Sequence, residues 1–423
     1  MSSGASTVGQ THPNNITLNG ERLWNSLLEM ARIGALPGGG CSRPALSADD
    51  ARGRDQFVSW CREAGCEVQI DRIGNIYARR HGADGTRAAV ATGSHLDTQP
   101  HGGRFDGIYG VLAGLEVIRS LNDAGVRTLA PIDVVVWTNE EAVRFTPPLT
   151  GSRVYAGLLE LATAHAARTT DGTTVLEDLK STGYFGPEIP GERSFDCFLE
   201  AHIEQGPVLE ANARTVGVVT SIVGIRWSIV QLTGQDSHAG TTPMNRRRDA
   251  LVGAAEIITA LNRLACDADE SARLTVGKME VSPNSGATIP GMTTFVVDLR
   301  HPNPVVLNEL HEHARTLIAE IAARHRLGFT IEAALDIAPR PFASEIVNIV
   351  RQQAERLGYL HMDLSSGAGH DAMNLAQVVP TGMIFVPCKD GLSHNEAESA
   401  TPEDLAAGAH TLMHAILARA KVV

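Results

Sequence analysis

Apolar residues fall along this chain in two kinds of run, short dense ones and longer ones at helical spacing. Largely apolar runs at 88–92 and 132–137 predict strands of a sheet covered by helices, and 109–121 between them repeats its apolar positions as a helix does. Upstream, Ser47 with Asp50 resembles a capping box that opens a helix through Phe57, Val58, Trp60 and Cys61 towards Gly65, and a strand is expected over 68–77. This β-α-β rhythm predicts an α/β catalytic domain whose central, mostly parallel sheet is flanked by helices.

The pattern changes near Val216. Strand-like runs at 216–223 and 226–233 precede a helical stretch at 247–266, strands at 274–281 and 293–300, a helix at 305–325 and a strand at 329–334. A β-α-β-β-α-β order predicts a four-stranded sheet with two helices on one face, an inserted α+β domain. The α/β rhythm then returns with a helix at 344–357, a strand at 383–386 and a last helix opened by Thr401-Pro-Glu-Asp404, where Thr caps and Pro takes the first helical position. The expected division is a catalytic domain over 1–214 and 336–423, interrupted by an inserted domain over 215–335, which the family resemblance set out below makes a lid or dimerisation domain.

Chemistry gathers where the predicted strands end. The stretch GSHLDTQPHGGRFDG supplies His95, Asp97, His101 and Asp106 directly after the first buried run, and Asn139-Glu140-Glu141 follows the second. With His202 and His394, the residues His95, Asp106 and Glu141 make five ligand-type side chains in polar, turn-like settings, a pattern that suits a two-metal hydrolytic site. A carboxylate has two oxygens and can serve two cations, so Asp106 is the expected bridge. Strand alternation points His95 and Asp97 the same way, which suits Asp97 as the carboxylate that orients the His95 ring. Glu141 is assigned to metal and Glu140 to proton transfer, because a general base must not be tied up as a ligand.

Taken singly these residues are ambiguous: a Glu-Glu pair is more often a solvated surface, and His95 or His202 could be a buried histidine with a hydrogen bond. Their joint placement at strand ends carries the inference. In the inserted domain, His238 lies in the turn GQDSHAGTTPM, where it either caps a neighbouring element or reaches a developing oxyanion. Arg300 at a strand end is either a surface charge or a clamp for a substrate carboxylate.

A length of 423 residues allows two or three domains, and a net charge of -12 argues against nucleic acid as the partner. Cys41, Cys61, Cys66, Cys197, Cys266 and Cys388 lack paired-ligand spacing, which fits reduced thiols in a cytoplasm. The first fifteen residues have neither an apolar core nor a basic leader, and no stretch is long and apolar enough for a bilayer, so no membrane association is expected.

The blocks Gly38-Gly-Gly-Cys-Ser-Arg43, GSHLDTQPHGGRFDG, Asn139-Glu-Glu141 with Gly151-Ser152, and Ala201-His-Ile-Glu-Gln-Gly-Pro207 resemble the amidohydrolase branch of the M20 metallopeptidase superfamily. GQDSHAGTTPM, Val297-Asp-Leu-Arg300, Ser366-Gly-Ala-Gly-His-Asp371 and Leu392-Ser-His-Asn-Glu396 extend the resemblance over nearly the whole chain. That branch holds N-carbamoyl-L-amino-acid hydrolases, allantoate amidohydrolases and ureidopropionases. The resemblance implies two divalent cations per subunit, zinc first with manganese, cobalt or nickel as alternatives, held by His95, Asp106, Glu141, His202 and His394. It implies Glu140 as general base, Asp97 as the residue that orients His95, and His238 as a group that reaches an active site, typically the partner subunit's in a homodimer formed through the inserted domain.

By the same resemblance Arg300, Gly367, Ala368 and Gly369 hold the carboxylate of a small-molecule substrate, and Gln205 contacts substrate or orders the site. The implied reaction is hydrolysis of the C–N bond of an N-carbamoyl-L-amino acid or related ureido acid, with release of ammonia and carbon dioxide. An N-acyl-amino-acid amidohydrolase or dipeptidase on the same scaffold is the alternative, and a non-catalytic binding protein of the same fold is the second. Two departures bear on substrate: Ala287 stands where relatives commonly carry asparagine, and Arg153 stands where a small or apolar residue is usual, either as a surface arginine or, if it points inward, as a cation that suits an extra anionic or polar group.

Overall fold

A computed structural model describes residues 16–423. The first fifteen residues, in which no leader is expected, lie outside them. The chain folds as two compact units, one running to Thr220 and resuming over Phe342–Val423, the other formed by Ser221–Pro341.

Four parallel neighbours form the centre of the larger sheet, in the order Ile132–Trp137, Ala89–His95, Phe195–Ile203 and Thr381–Val386. Ala89–His95, Ile132–Trp137 and Thr381–Val386 are buried at every position, as strands covered on both faces must be. Antiparallel strands extend the sheet, Ile76–Arg80 and Glu67–Ile70 beside Ile132–Trp137, and Val216–Ile222 beside Thr381–Val386. The helix Ile108–Asp123 is buried along most of its length and packs on Ala89–His95, while Pro402–Ala420 packs on Thr381–Val386 and on that helix.

The strand expected over 68–77 is instead a hairpin broken at Asp71–Asn75. The Asp71 carboxylate draws the chain into a turn by accepting from the backbone N–H of Ile73 and Asn75, at 3.0 and 2.8 Å, and from the Tyr77 hydroxyl at 2.8 Å. These local bonds outcompete the extended ladder. Ser47 does cap the helix Ala48–Glu63, accepting from the Asp50 N–H. Within that helix Arg54 and Asp50 form a fully buried pair at 2.8 Å, and Arg54 also donates to the Gly74 carbonyl at 2.8 Å. Arg54→Met should lower stability by about 3–5 kcal/mol, because it leaves Asp50 buried and uncompensated. A denaturation midpoint equal to wild type would show that the pair is not needed.

The second unit is a four-stranded antiparallel sheet in the order Gly328–Ile337, Gly224–Thr233, Met292–His301, Arg273–Ser282. Its two helices, Ala250–Ala268 and Pro304–Arg324, are capped by Asp249 and Asn303. Ile257 and Leu261 from one helix and Ile318 and Ile321 from the other meet Val230, Leu232, Phe295 and Val297 in one core, so both helices cover the same sheet face.

Candidate metal centre

The site residues sit at the carboxyl ends of the parallel strands. His95 is the last residue of its strand, His202 is one residue from the end of Phe195–Ile203, and Glu140 and Glu141 follow Ile132–Trp137. His394 lies in the loop after Thr381–Val386. Strand ends leave side chains clear of the ladder and close to those of their neighbours, which is why open parallel sheets place sites there.

Asp106 stands at the centre. Its Oδ1 lies 3.2 Å from His202 Nε2 and 3.8 Å from His95 Nε2, while its Oδ2 lies 3.1 Å from His394 Nε2. Glu141 Oε2 is 3.5 Å from the same His394 nitrogen. Two donor groups therefore share one carboxylate, His95–Asp106–His202 and Asp106–Glu141–His394, each with ligand atoms within 4.8 Å of one another. Gly107 follows the shared aspartate with a φ of +72°, and a Cβ there would come within 2.3 Å of the His95 ring. Only glycine admits both that backbone and that ring.

The turn carrying the two glutamates is held from below. Asn139 takes a φ of 55°, tolerated by its short polar side chain, and donates to the Phe145 carbonyl at 2.9 Å. The Asp97 carboxylate accepts from the backbone N–H groups of Glu140 and Glu141 at 3.3 and 3.2 Å. Asp97 was expected to orient His95 through its carboxylate. In the structure its backbone carbonyl does so, at 2.8 Å from Nδ1, because the carboxylate, 3.9 Å from that nitrogen, is turned to the glutamate turn. Glu140 Oε2 lies 3.7 Å from His95 Nε2.

The electrostatics call for cations. Burial, together with Glu141, Asp371, Asp106 and Asp97, pushes the Glu140 carboxyl well above the usual carboxylate range, and burial with Asp106 pushes Glu141 up to about 8. Burial would lower His202, yet Asp106 raises it to about 9; its hydrogen bond to Asp106 raises His394 to about 9. Without a metal, protons compensate the anions. Glu141 Oε1 is buried with no hydrogen-bond partner among the described residues. Two imidazoles and a carboxylate on one side, and an imidazole and two carboxylates on the other, form a donor set that fits two divalent cations.

Gln205 joins the cluster, donating from Nε2 to Asp106 Oδ2 at 2.9 Å from a backbone with a φ of 56°. Non-glycine residues in that region cost about 1–3 kcal/mol each, and His394, with a φ of 54°, is another in the same site. Gly367, Ala368 and Gly369 form the loop before His370, whose ring packs 4.4 Å from that of His202. Arg153, on the short helix Thr150–Tyr155, is half-buried, and its guanidinium makes no hydrogen bond or ion pair among the described residues. His101, at the surface, pairs with Glu396 at 2.8 Å.

His238 and Arg300 belong to the second unit. His238 Nδ1 accepts from the Gly240 and Thr241 N–H groups at 3.0 and 3.2 Å, so a neutral ring carries its proton on Nε2, on an exposed side chain. Arg300 pairs through Nε and Nη2 with Asp298, at 3.0 and 2.8 Å, so its fork is engaged within its own strand. The Ala287 carbonyl accepts from Ala239 N–H at 2.9 Å and steadies the His238 turn.

Three supporting acids escaped the sequence reasoning. Glu398 accepts from the N–H of Phe105 and Asp106 and, at 2.9 Å, from Ser393, so it fixes the loop of the shared aspartate. Glu200 accepts from Ser94 at 2.6 Å and from Ala372 N–H at 2.9 Å, and with His202 and His370 it makes a further buried group whose ligand atoms lie within 4.8 Å of one another. Asp371 accepts from Ser152. Glu200 had a usable signal, since it lies two residues before His202 on a strand and shares its face.

Comparison with known proteins adds an independent finding. Residues 91–418 match the family described as peptidase family M20/M25/M40. The chain is 44% identical over 409 residues to an N-carbamoyl-L-amino-acid amidohydrolase of Rhizobium meliloti, covering 97% of this chain and 98% of that one. It is 35% identical over 385 residues to an allantoate amidohydrolase of Escherichia coli (strain K12), covering 90% and 94%. A crystal structure of an amidase of the hydantoinase/carbamoylase family from Burkholderia multivorans superposes with a TM-score of 0.93 at 52% identity, covering 96% of this chain and 98% of that one.

Proposed function

The chain belongs to peptidase family M20/M25/M40, and from that membership and its ligand cluster we propose that it is a binuclear metal-dependent amidohydrolase. Its substrate is an N-carbamoyl-L-amino acid or a related ureido acid, whose C–N bond it cleaves with release of ammonia and carbon dioxide. The observation that carries this reading is Asp106 set between two ligand groups, with Glu140 beside His95 and outside both groups.

In this reading His95, Asp106 and His202 hold one cation, and Asp106, Glu141 and His394 the other. Divalent cations, when bound, supply Lewis acidity to the scissile carbonyl and acidify the attacking water. Glu140 takes the proton from that water and returns it to the leaving nitrogen, so one carboxylate serves as base and then acid. Asp97 keeps Glu140 and Glu141 in register through their backbone N–H groups. His238, with its proton on Nε2, donates to the developing oxyanion. Gln205 and the Gly367-Ala368-Gly369 loop serve the substrate carboxylate, Arg300 joins them by giving up its pairing with Asp298, and Arg153 serves an additional polar or anionic group.

The relatives named for N-carbamoyl amino acids and allantoate support a ureido substrate over an N-acyl amino acid or dipeptide. Zinc is the first metal on ligand chemistry, with manganese, cobalt and nickel behind it. We also propose a homodimer formed through the inserted unit. Among the described residues no helix is long and apolar enough to cross a membrane. Six cysteines without a disulfide fit a reducing compartment, and the cytoplasm is the proposed setting.

The deciding experiment is a substrate panel. Metal-loaded enzyme is assayed against N-carbamoyl-L-amino acids, allantoate, N-acyl amino acids and dipeptides, and ammonia is measured. Ammonia from a ureido substrate, abolished by a chelator and restored by zinc, manganese or cobalt, is the expected result. Turnover of acyl or peptide substrates alone would overturn the substrate class.

A further inference from the structure

Four of the five ligands in the metal centre are locked in place by burial, and the fifth is not. The side chains of His95, His202, Asp106 and Glu141 are at most 6% exposed, whereas that of His394 is 51% exposed. His394 sits at a φ of 54° in the loop between Thr381–Val386 and Pro402–Ala420. Its place beside Asp106 and Glu141 therefore depends on how that loop is fastened.

Two acids fasten it. Glu398, four residues on, is buried and accepts from the N–H groups of Phe105 and Asp106. Glu396, two residues on, is held by a different part of the chain. Its Oε2 accepts from Gly38 N–H at 2.9 Å, and its Oε1 accepts from His101 Nδ1 at 2.8 Å. A carboxylate only accepts, so the His101 ring carries a proton on Nδ1.

Gly38 and Gly40 form the seat for Glu396. A Cβ on Gly38 would fall 2.2 Å from Glu396 Oε2, and one on Gly40 would fall 2.7 Å from the Glu396 Cα. Side chains at these two positions would push the His394 loop away, which gives the Gly38-Gly39-Gly40 run a physical reason. The same run is bound to the loop of the shared aspartate: Cys41 N–H donates to the Gly102 carbonyl at 3.0 Å, and Gly102 N–H donates to the Cys41 carbonyl at 3.2 Å. The seat thus joins three segments, around Gly38–Gly40, His101–Asp106 and His394–Glu398.

We propose that Glu396 is a positioning residue that seats His394, so that the cation of the Asp106–Glu141–His394 group depends on it and the cation of the His95–Asp106–His202 group does not. The proposal rests on the two-cation reading of the centre. With the seat broken, His394 swings with its loop, and Asp106 and Glu141 are left to hold their cation alone.

Zinc titration of metal-free enzyme, followed by calorimetry, reads the two binding steps. Glu396→Ala should weaken one step about tenfold or more and leave the other as in wild type, because contacts that orient a ligand carry roughly 10–100-fold in metal affinity. Glu396→Gln keeps an acceptor for Gly38 N–H and offers a donor to a neutral His101 Nδ1, so it should bring the weakened step back to within about threefold of wild type. Gly38→Ala keeps Glu396 but puts a methyl group against its carboxylate, and should repeat the loss. In a His394→Ala background, Glu396→Ala should change neither step, since its effect runs through that ligand. Two steps of wild-type affinity in Glu396→Ala, or an equal loss at both steps, overturn this proposal alone; a single step in wild type overturns the two-cation reading with it.

Discussion

Glu140→Gln is expected to lower kcat by about a thousandfold, within the 10²–10⁴ range that positioned general bases supply. The amide keeps the shape and the backbone contacts to Asp97 but cannot take a proton from water. Because Glu140 lies outside both ligand groups, bound metal and KM should stay within about twofold of wild type. That split separates a proton-transfer role from a ligand role, in which metal would be lost along with rate. Activity within tenfold of wild type on the best ureido substrate would remove Glu140 from the mechanism.

Asp106→Asn is the second large effect. Its two oxygens face different groups, Oδ1 towards His95 and His202 and Oδ2 towards His394. An asparagine presents one acceptor and one donor, so at least one cation faces an N–H where it had an anion. Even residues that only support a metal ligand change affinity by roughly 10–100-fold when lost, and a shared ligand should exceed that. We expect fewer than two metals per subunit after gel filtration and no measurable turnover. Two retained metals with near-normal kcat would show that Asp106 does not join the groups.

Much of the fold was legible because burial writes plain patterns. The apolar runs at 88–92 and 132–137 read as strands covered on both sides, and the strand-like runs at 226–233 and 293–300 as members of the inserted sheet. The turn at Asp71 is signalled by Asp71, Gly74 and Asn75, residues that favour turns, and is masked only by the apolar positions on either side of it, Val68, Ile70, Ile76 and Tyr77. The strand Phe195–Ile203, which carries His202, was missed as an element because Asp196, Glu200 and His202 interrupt its apolar run. Those polar residues are what the site needs there.

Ligand types could be read from residue chemistry at strand ends, but the atoms they use could not. Whether Asp97 orients His95 by carboxylate or carbonyl depends on where the glutamate turn lies, a contact across 43 positions of sequence. Glu398 was hidden for a related reason: its partners are the backbone N–H groups of Phe105 and Asp106, and main-chain donors leave no trace in residue identity.

The strand Thr381–Val386 lies between Phe195–Ile203 and Val216–Ile222, two strands made much earlier in the chain. A chain emerging from the ribosome must therefore carry an unfilled slot in its largest sheet while the whole second unit is synthesised. Until that slot is filled, the edge of a nearly all-buried strand is open to pairing with other chains, a hazard that chaperones or rapid completion of synthesis would have to contain. His394 arrives with the same late segment, so the centre's last ligand reports that the sheet has closed.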